Sequence, residues 1–254
     1  MGPIQTLTRY ALSAVILFLA VIAAAADTAA APVPCPAANN LAVADVVARL
    51  MSRNAERARD LLSFEATRNY QLHYTGFPSP LAAEMQVKVS YTAPGTKQFT
   101  IESESGSKLI LNRVFHRLLD SEKESGSDEA NRAAVALTTA NYSFSLLGCA
   151  PGDGPPLYVI QVAPLRDNKY LYRGMVWIDA TDFAVTRIEA QPGKNPSFWT
   201  KRTVIDHEYQ KVGGFYLPAL NRTVTDVRLG GKAVLTIRYQ DYKLSAAENV
   251  ADPR

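Results

Sequence analysis

Histidine, cysteine, aspartate and serine are the residues of this chain best equipped for chemistry, and their spacing gives them little of it. The three histidines are His73, His116 and His207. His73 falls on the polar face of a strand pattern, His116 in a helical pattern and His207 in another strand pattern. None has a carboxylate or second histidine at a recognised metal-ligand spacing, so no metal site is read. Asp179 and Asp182 form a close carboxylate pair, but they flank a hairpin turn, where aspartate bonds nearby backbone amides. Ser107 and Ser127 lie in two copies of Glu-Ser-Gly-Ser, and no G-x-S-x-G elbow occurs. Gly213-Gly214 and Gly230-Gly231 have the form of hairpin turns rather than phosphate loops. The reading is therefore a non-enzyme without a cofactor. A nucleophile assembled from distant residues stays open as a hydrolase alternative.

The two cysteines, Cys35 and Cys149, share no short spacing, which disfavours a metal knuckle or redox pair. Their environment follows from the N-terminus. Arg9 precedes the apolar run 11–26, which ends in Ala24-Ala25-Ala26 before Asp27. A basic start, a short apolar core and an A-x-A site describe a secretory signal peptide over residues 1–26. The alternative is a membrane anchor, but spanning takes about 20 apolar residues. Cys35 follows Pro34, so there is no lipobox. Export to an oxidising periplasm makes a Cys35–Cys149 disulfide the expected state, with two independent buried thiols as the alternative.

Residues 27–40 are rich in Pro and Ala and read as a flexible leader; 41–245 read as one domain and 246–254 as a tail. Apolar content of 47%, charge of 20% and a net charge of +3 fit an ordinary globular domain. The basic residues are dispersed, so nucleic acid is excluded as a partner, and a monomer is expected.

The elements that must position any site are mostly strands. Helical spacing of Val43, Val47, Leu50, Met51, Ala58 and Leu61 predicts a helix over about 41–62, capped by Asn39 or Asn40. Ala66, Tyr70, Leu72 and Tyr74 then alternate with polar residues, with Arg68 the exception on the apolar side. Met85, Val87 and Val89, then Phe99 and Ile101, continue the alternation. Helical periodicity returns over 108–124 and more briefly near 132–138. Strands resume at 141–147 and 157–163, and consecutive hairpins run from Tyr170 to the end. Nine or ten antiparallel strands with two or three helices describe a mainly antiparallel β fold. The expected form is a curved, unclosed half-barrel under a helical lid, with apolar space between. Phe198 and Trp199, beside Lys201 and Arg202, either close the core or touch a membrane or partner.

The later strands carry a family pattern. Tyr172–Asp179 reads YRGMVWID and leads through a turn to Asp182–Glu189, DFAVTRIE. Lys211–Pro218 reads KVGGFYLP, and Leu235–Tyr239 reads LTIRY. In this combination, covering most of 140–243, the chain resembles the LolA/LolB-like superfamily of bacterial envelope proteins, including those called outer-membrane lipoprotein-sorting. The resemblance implies an unclosed antiparallel barrel with helices over its mouth and a cavity for acyl chains. It implies a soluble periplasmic carrier of a lipid or lipoprotein acyl chain, with lipoproteins or envelope proteins as partners. An envelope sensor or protein-interaction module on the same fold is the alternative. Met85, Val87, Val89, Phe99, Ile101, Trp177, Leu235 and Ile237 are the residues expected to face an apolar ligand.

Overall fold

The computed structural model describes residues 31–152, 154–168, 170–194, 200–228 and 230–247, with the side chains of 124–127 left aside. The signal-peptide expectation and the Phe198-Trp199 pair lie outside the described residues. A short 3-10 turn, Ala37–Asn39, precedes helix α1, Val43–Asp60. Strands β1 (Leu61–Gly76), β2 (Leu81–Thr92) and β3 (Thr96–Gly106) follow. Next comes a helical stretch made of α2 (Lys108–Ile110), a π-helical segment (Leu111–Phe115) and α3 (His116–Ser127), then α4 (Glu129–Val135). The remainder is strand: β4 (Tyr142–Ala150), β5 (Leu157–Pro164), β6 (Tyr172–Asp179), β7 (Val185–Pro192), β8 (Thr200–Val212), β9 (Phe215–Val227) and β10 (Gly231–Ala246).

All ten strands join one curved, unclosed antiparallel sheet in the order β3-β2-β1-β10-β9-β8-β7-β6-β5-β4. The short connections of the meander place most sequential strands side by side. The exceptions are β3 to β4, linked by the helices, and β1 to β10, which joins the two ends of the chain. Helix α1 is shorter than its periodicity suggests. Ala42, not an asparagine, stands at its N-cap without a side-chain bond, and Leu61 turns extended and runs straight into β1. Arg57 and Arg59 in its last turn complement the negative end of the helix dipole.

Residues paired across antiparallel strands share a face of the sheet. One such row crosses most of the sheet: Met85, Tyr70, Ile237, Asn221, His207, Ile188, Val176 and Ile160. Its two ends meet different helices. Val46, Val47 and Leu50 of α1 pack with Ile160, Val176, Ile178 and Ile188. Ile110, Leu111 and Phe115, with Leu119 of α3, pack with Tyr70, Met85, Val87, Val89 and Ile237. One sheet face therefore carries two separate cores. Ile205, which pairs with Ala190 and Thr223 between them, belongs to neither.

The sheet's edges are β3 and β4. Helix α3 lies against β3. At β4 the N-terminal segment adds one antiparallel bridge, in which Val33 and Cys149 exchange both backbone hydrogen bonds at 2.8 and 2.7 Å. The Cys35–Cys149 disulfide sits beside it, with Cα atoms 4.8 Å apart. Gly148 permits the crossing: its φ is +143°, and a Cβ there would lie 2.4 Å from the Val33 carbonyl oxygen.

Candidate functional site

A crevice of about 390 Å³ opens beside the α1 core, under the last turns of the helix. Asn54, Arg57 and Ala58 of α1 and Leu61 of β1 form one wall, and Tyr91 and Leu137 contribute from the side. Tyr172, Val185, Ile188, Tyr209, Phe215, Tyr216 and Leu217 of the sheet complete the lining. A more open depression of about 620 Å³ runs between α1 and edge strand β4, past Val47, Met51, Tyr142 and Phe144.

The crevice mouth is held by a polar cluster at the β6–β7 turn. Asp182 accepts hydrogen bonds from the Tyr216 hydroxyl and from Lys211 Nζ, each at 2.7 Å. Arg57 donates to the Asp182 carbonyl at 2.6 Å and lies over the Tyr216 ring at 5.3 Å. Burial opposes the Asp182 charge, but Lys211 and Tyr216 outweigh it and hold the carboxyl below its usual range. Asp179 has the turn role expected of it, its Oδ1 accepting from the amides of Thr181 and Asp182 at 2.8 Å.

Inside, the tyrosines are neutral. Burial raises Tyr209 to about 12, and burial, then the neighbouring Tyr142 and Tyr209, raises Tyr172 well above a free phenol. Beside the crevice wall, His207 pairs in register with Ile188 and hydrogen-bonds Asn221; burial holds its imidazole below the usual range. His73 is exposed and His116 bonds Glu104 at 2.8 Å. Among the described residues no cluster of three metal-ligating side chains occurs.

The eight residues expected to face a ligand divide. Met85, Val87, Val89, Phe99, Leu235 and Ile237 share the helix-covered face and come together in the core beneath the 110–119 helical stretch. There Val87 is 0% and Val89 1% exposed, so helix already fills the space above them. Ile101 is 42% exposed near the β3 edge. Trp177 stands apart. It pairs with Val159 and Arg187 on the opposite face, packed with Ala150 and Val159 under the Arg187 guanidinium. Its neighbours Val176 and Ile178 are the ones that face α1, because side chains alternate along a strand. None of the eight lines the central crevice.

Sequence periodicity missed the crevice residues for a simple reason. Tyr172, Ile188 and Tyr209 have the pattern of any inward strand position, and periodicity does not tell where helical cover stops. A separate polar feature, away from the crevice, was visible in the sequence as Arg68. It interrupts an apolar face, is 5% exposed, and forms a two-pronged ion pair with Glu122 of α3 at 2.7 and 3.1 Å. Lys97 reaches the same carboxylate at 2.6 Å, and the Phe99 and Tyr239 rings flank the guanidinium. Burial alone would raise the Glu122 carboxyl, but Arg68 and Lys97 overcome it and hold the group at about 2.

Comparison of the sequence finds no matching family profile and no matching curated protein. Solved structures that match include a LolA superfamily protein from Nitrosomonas europaea, at 14% identity over 84% of this chain and 98% of that one, with a TM-score of 0.33. A DUF1329 family protein from Desulfovibrio piger matches at 14% identity over 80% and 93%, with a TM-score of 0.41. An outer membrane lipoprotein-sorting protein domain from Vibrio parahaemolyticus matches at 12% identity over 77% and 92%, with a TM-score of 0.35. The chemistry of this chain rests on its own residues.

Proposed function

We propose that the protein is an exported, non-enzymatic binding protein that holds an apolar chain, a lipid or lipoprotein acyl group, in the crevice between α1 and the sheet. The observation behind this reading is that the α1 core leaves a crevice against the sheet, lined on its apolar side by Leu61, Leu137, Ile188, Phe215 and Leu217. Its volume of about 390 Å³ falls within the range of small-molecule sites, roughly 300–1,000 Å³. Each methylene buried there contributes about 0.8 kcal/mol, so a long chain is held without a charged anchor. Among the described residues no helix is long and apolar enough to cross a membrane.

The test is lipid extraction of protein purified under native conditions, followed by mass spectrometry, together with titration by a fluorescent fatty acid. Val185→Trp fills the crevice from a half-buried position. It is expected to abolish co-purified lipid and fatty-acid binding while circular dichroism stays unchanged. Native protein that is empty and binds no fatty acid overturns the carrier reading in favour of a protein-interaction module. Binding that survives Val185→Trp moves the ligand out of this crevice.

A further inference from the structure

The four most exposed large apolar side chains among the described residues are Phe77 at 80%, Leu109 and Tyr170 at 60%, and Leu165 at 59%. The antiparallel register puts all four at one end of the sheet. Strand β1 ends at Gly76 opposite Gly231 of β10, so Phe77, in the β1–β2 connection, stands beside the β9–β10 turn. The Tyr74 hydroxyl fixes that corner, lying between the carbonyls of Phe77 and Gly230 at 3.0 and 3.4 Å. The Ser107 amide donates to the Ala82 carbonyl at 2.8 Å, which brings the start of α2, and Leu109 with it, to the same end. Leu165 and Tyr170 lie in the β5–β6 connection, which the pairing of β6 through β10 carries to this end as well. The strands are joined at the other end by turns of small residues, such as Ala93-Pro94-Gly95 and Gly213-Gly214.

Exposed basic residues accompany these tips: Lys108, Lys194, Lys201, Arg202, Arg228 and Lys232. The acids among them are Asp167 and Asp226, and Asp226 pairs in register with both Arg202 and Lys232. The charge at this end is therefore positive on balance. The apolar tips are spread along the rim, since β1 and β6 stand five strands apart in the sheet, at about 4.8 Å per strand. A pocket on a protein partner needs its anchors gathered in one place, whereas a flat surface meets separate tips at once. A single exposed apolar side chain calls for no partner. Four on one rim, interspersed with Lys and Arg, match a bilayer interface, where apolar tips enter the headgroup region and basic side chains meet anionic lipid. We infer that this end of the sheet docks on an anionic lipid surface. Phe77 and Leu109 enter the interface beside Lys108 and Lys232, and Leu165 and Tyr170 give a second foothold. The inference does not depend on the crevice, whose mouth lies by the β6–β7 turn at the other end of the strands.

The test is flotation of the exported protein with vesicles of phosphatidylcholine, with and without phosphatidylglycerol. Wild type is compared with Phe77→Ser, Leu109→Ser, the pair Lys108→Glu with Lys232→Glu, and Leu62→Ser at the opposite end of β1. All five positions are exposed, so the fold is kept, and circular dichroism checks it. Every variant carries the same N-terminus, so a difference between them belongs to the sheet. Wild type is expected to bind the phosphatidylglycerol vesicles in preference, and less as salt is raised. Phe77→Ser and Leu109→Ser should each weaken that binding by roughly tenfold, the loss of one partly buried apolar side chain. The double charge reversal should weaken it by about fivefold or more per residue, and Leu62→Ser should leave it unchanged. Equal binding to both vesicles, or a loss in Leu62→Ser as large as in Phe77→Ser, overturns the inference. Wild type that binds neither vesicle also overturns it and leaves the rim to a protein partner.

Discussion

Glu122→Gln is the substitution that most directly tests how the second helical layer is held. Glu122 lies on α3, and its carboxylate receives both prongs of Arg68 and the ammonium of Lys97. The Arg68 side chain is 6% exposed and Glu122 32%, so the pair is shielded from below and partly wet from above. Removing the carboxylate charge strands a guanidinium whose Nε already lacks a partner. Breaking a fully buried pair costs about 3–5 kcal/mol. Water access to Glu122 places the expected cost at or below the lower limit of that range, about 2–3 kcal/mol. The pH dependence has a definite sign. Folding depresses the Glu122 carboxyl from an ordinary 4.5 to about 2. Its contribution is therefore fully present above the unfolded-state value and disappears as pH falls through the folded one. Urea unfolding of disulfide-intact wild type and Glu122→Gln, followed by circular dichroism, should show a clear gap in stability at pH 7. That gap should close progressively between about pH 4.5 and 2. A constant gap across that range, or none at pH 7, refutes the electrostatic account and makes the contact a matter of packing alone. Replacing Arg68 and Glu122 together by Met should cost much less than Glu122→Gln, because no uncompensated charge remains.

Three further outcomes follow from the geometry. The Cys35–Cys149 bridge closes a separation of 114 residues, so Cys35→Ser with Cys149→Ser should lower stability by up to about 5 kcal/mol on the chain-entropy account, read from the same urea curves. Gly148→Ala should cost about 1–3 kcal/mol, because a Cβ would meet the Val33 carbonyl at a backbone angle suited to glycine. Hydrogen exchange should then show faster exchange of the Val33 and Cys149 amides, and unchanged protection would exclude a close crossing. Trp177→Phe should leave fatty-acid affinity unchanged, since Trp177 faces away from the crevice; a loss of more than a few-fold would place ligand on the outer face.

The strands were legible because a half-covered sheet enforces alternation. Ala66, Tyr70 and Leu72 lie buried on one face of β1 while Glu65, Gln71 and His73 stay exposed on the other, as their spacing requires. The disulfide was legible from the expected compartment and the cysteine number. The start of α1 was not. Asn39 and Asn40 are good caps by type, yet the chain takes a 3-10 turn there and begins the helix after Ala42. Tertiary attachment at Cys35 and Leu41, both packed against the α1 core, outweighs a local preference worth about 1 kcal/mol. The facing of Trp177 was hidden for a different reason. Its strand, Gly174-Met-Val-Trp-Ile-Asp, is apolar at every central position, so alternation gives no sign of which side faces the helices. Size misleads at such a strand, where the smaller Val176 and Ile178 meet α1 and the indole packs behind them beneath Arg187.

The candidate crevice was invisible in the sequence for a deeper reason. Where a helix covers a sheet is decided by helix length and by the points at which the chain is tied, and neither is local. Helix α1 is fixed near one end by the disulfide and at the other by Arg57 on the Asp182 turn. The 108–127 stretch is fixed by Ile110, Leu111 and Phe115, three side chains that the π-helical segment helps turn onto the sheet, and by Glu122 on Arg68. Each layer thus buries its apolar side chains against its own half of the sheet. The central strands β8 and β9 pass between them carrying His207, Asn221, Thr203, Thr223 and Thr225 on the shared face. These residues hydrogen-bond one another, as in Thr203 with Thr225 at 3.2 Å and Thr223 with Asn221 at 3.1 Å, instead of building a third apolar core. A polar middle keeps the two layers from collapsing into one, since closing them over it would bury hydroxyl and amide groups without their remaining partners. The inner face is thus apolar at both ends and polar between, and replacing Thr223 and Thr225 with Val should draw the two layers together.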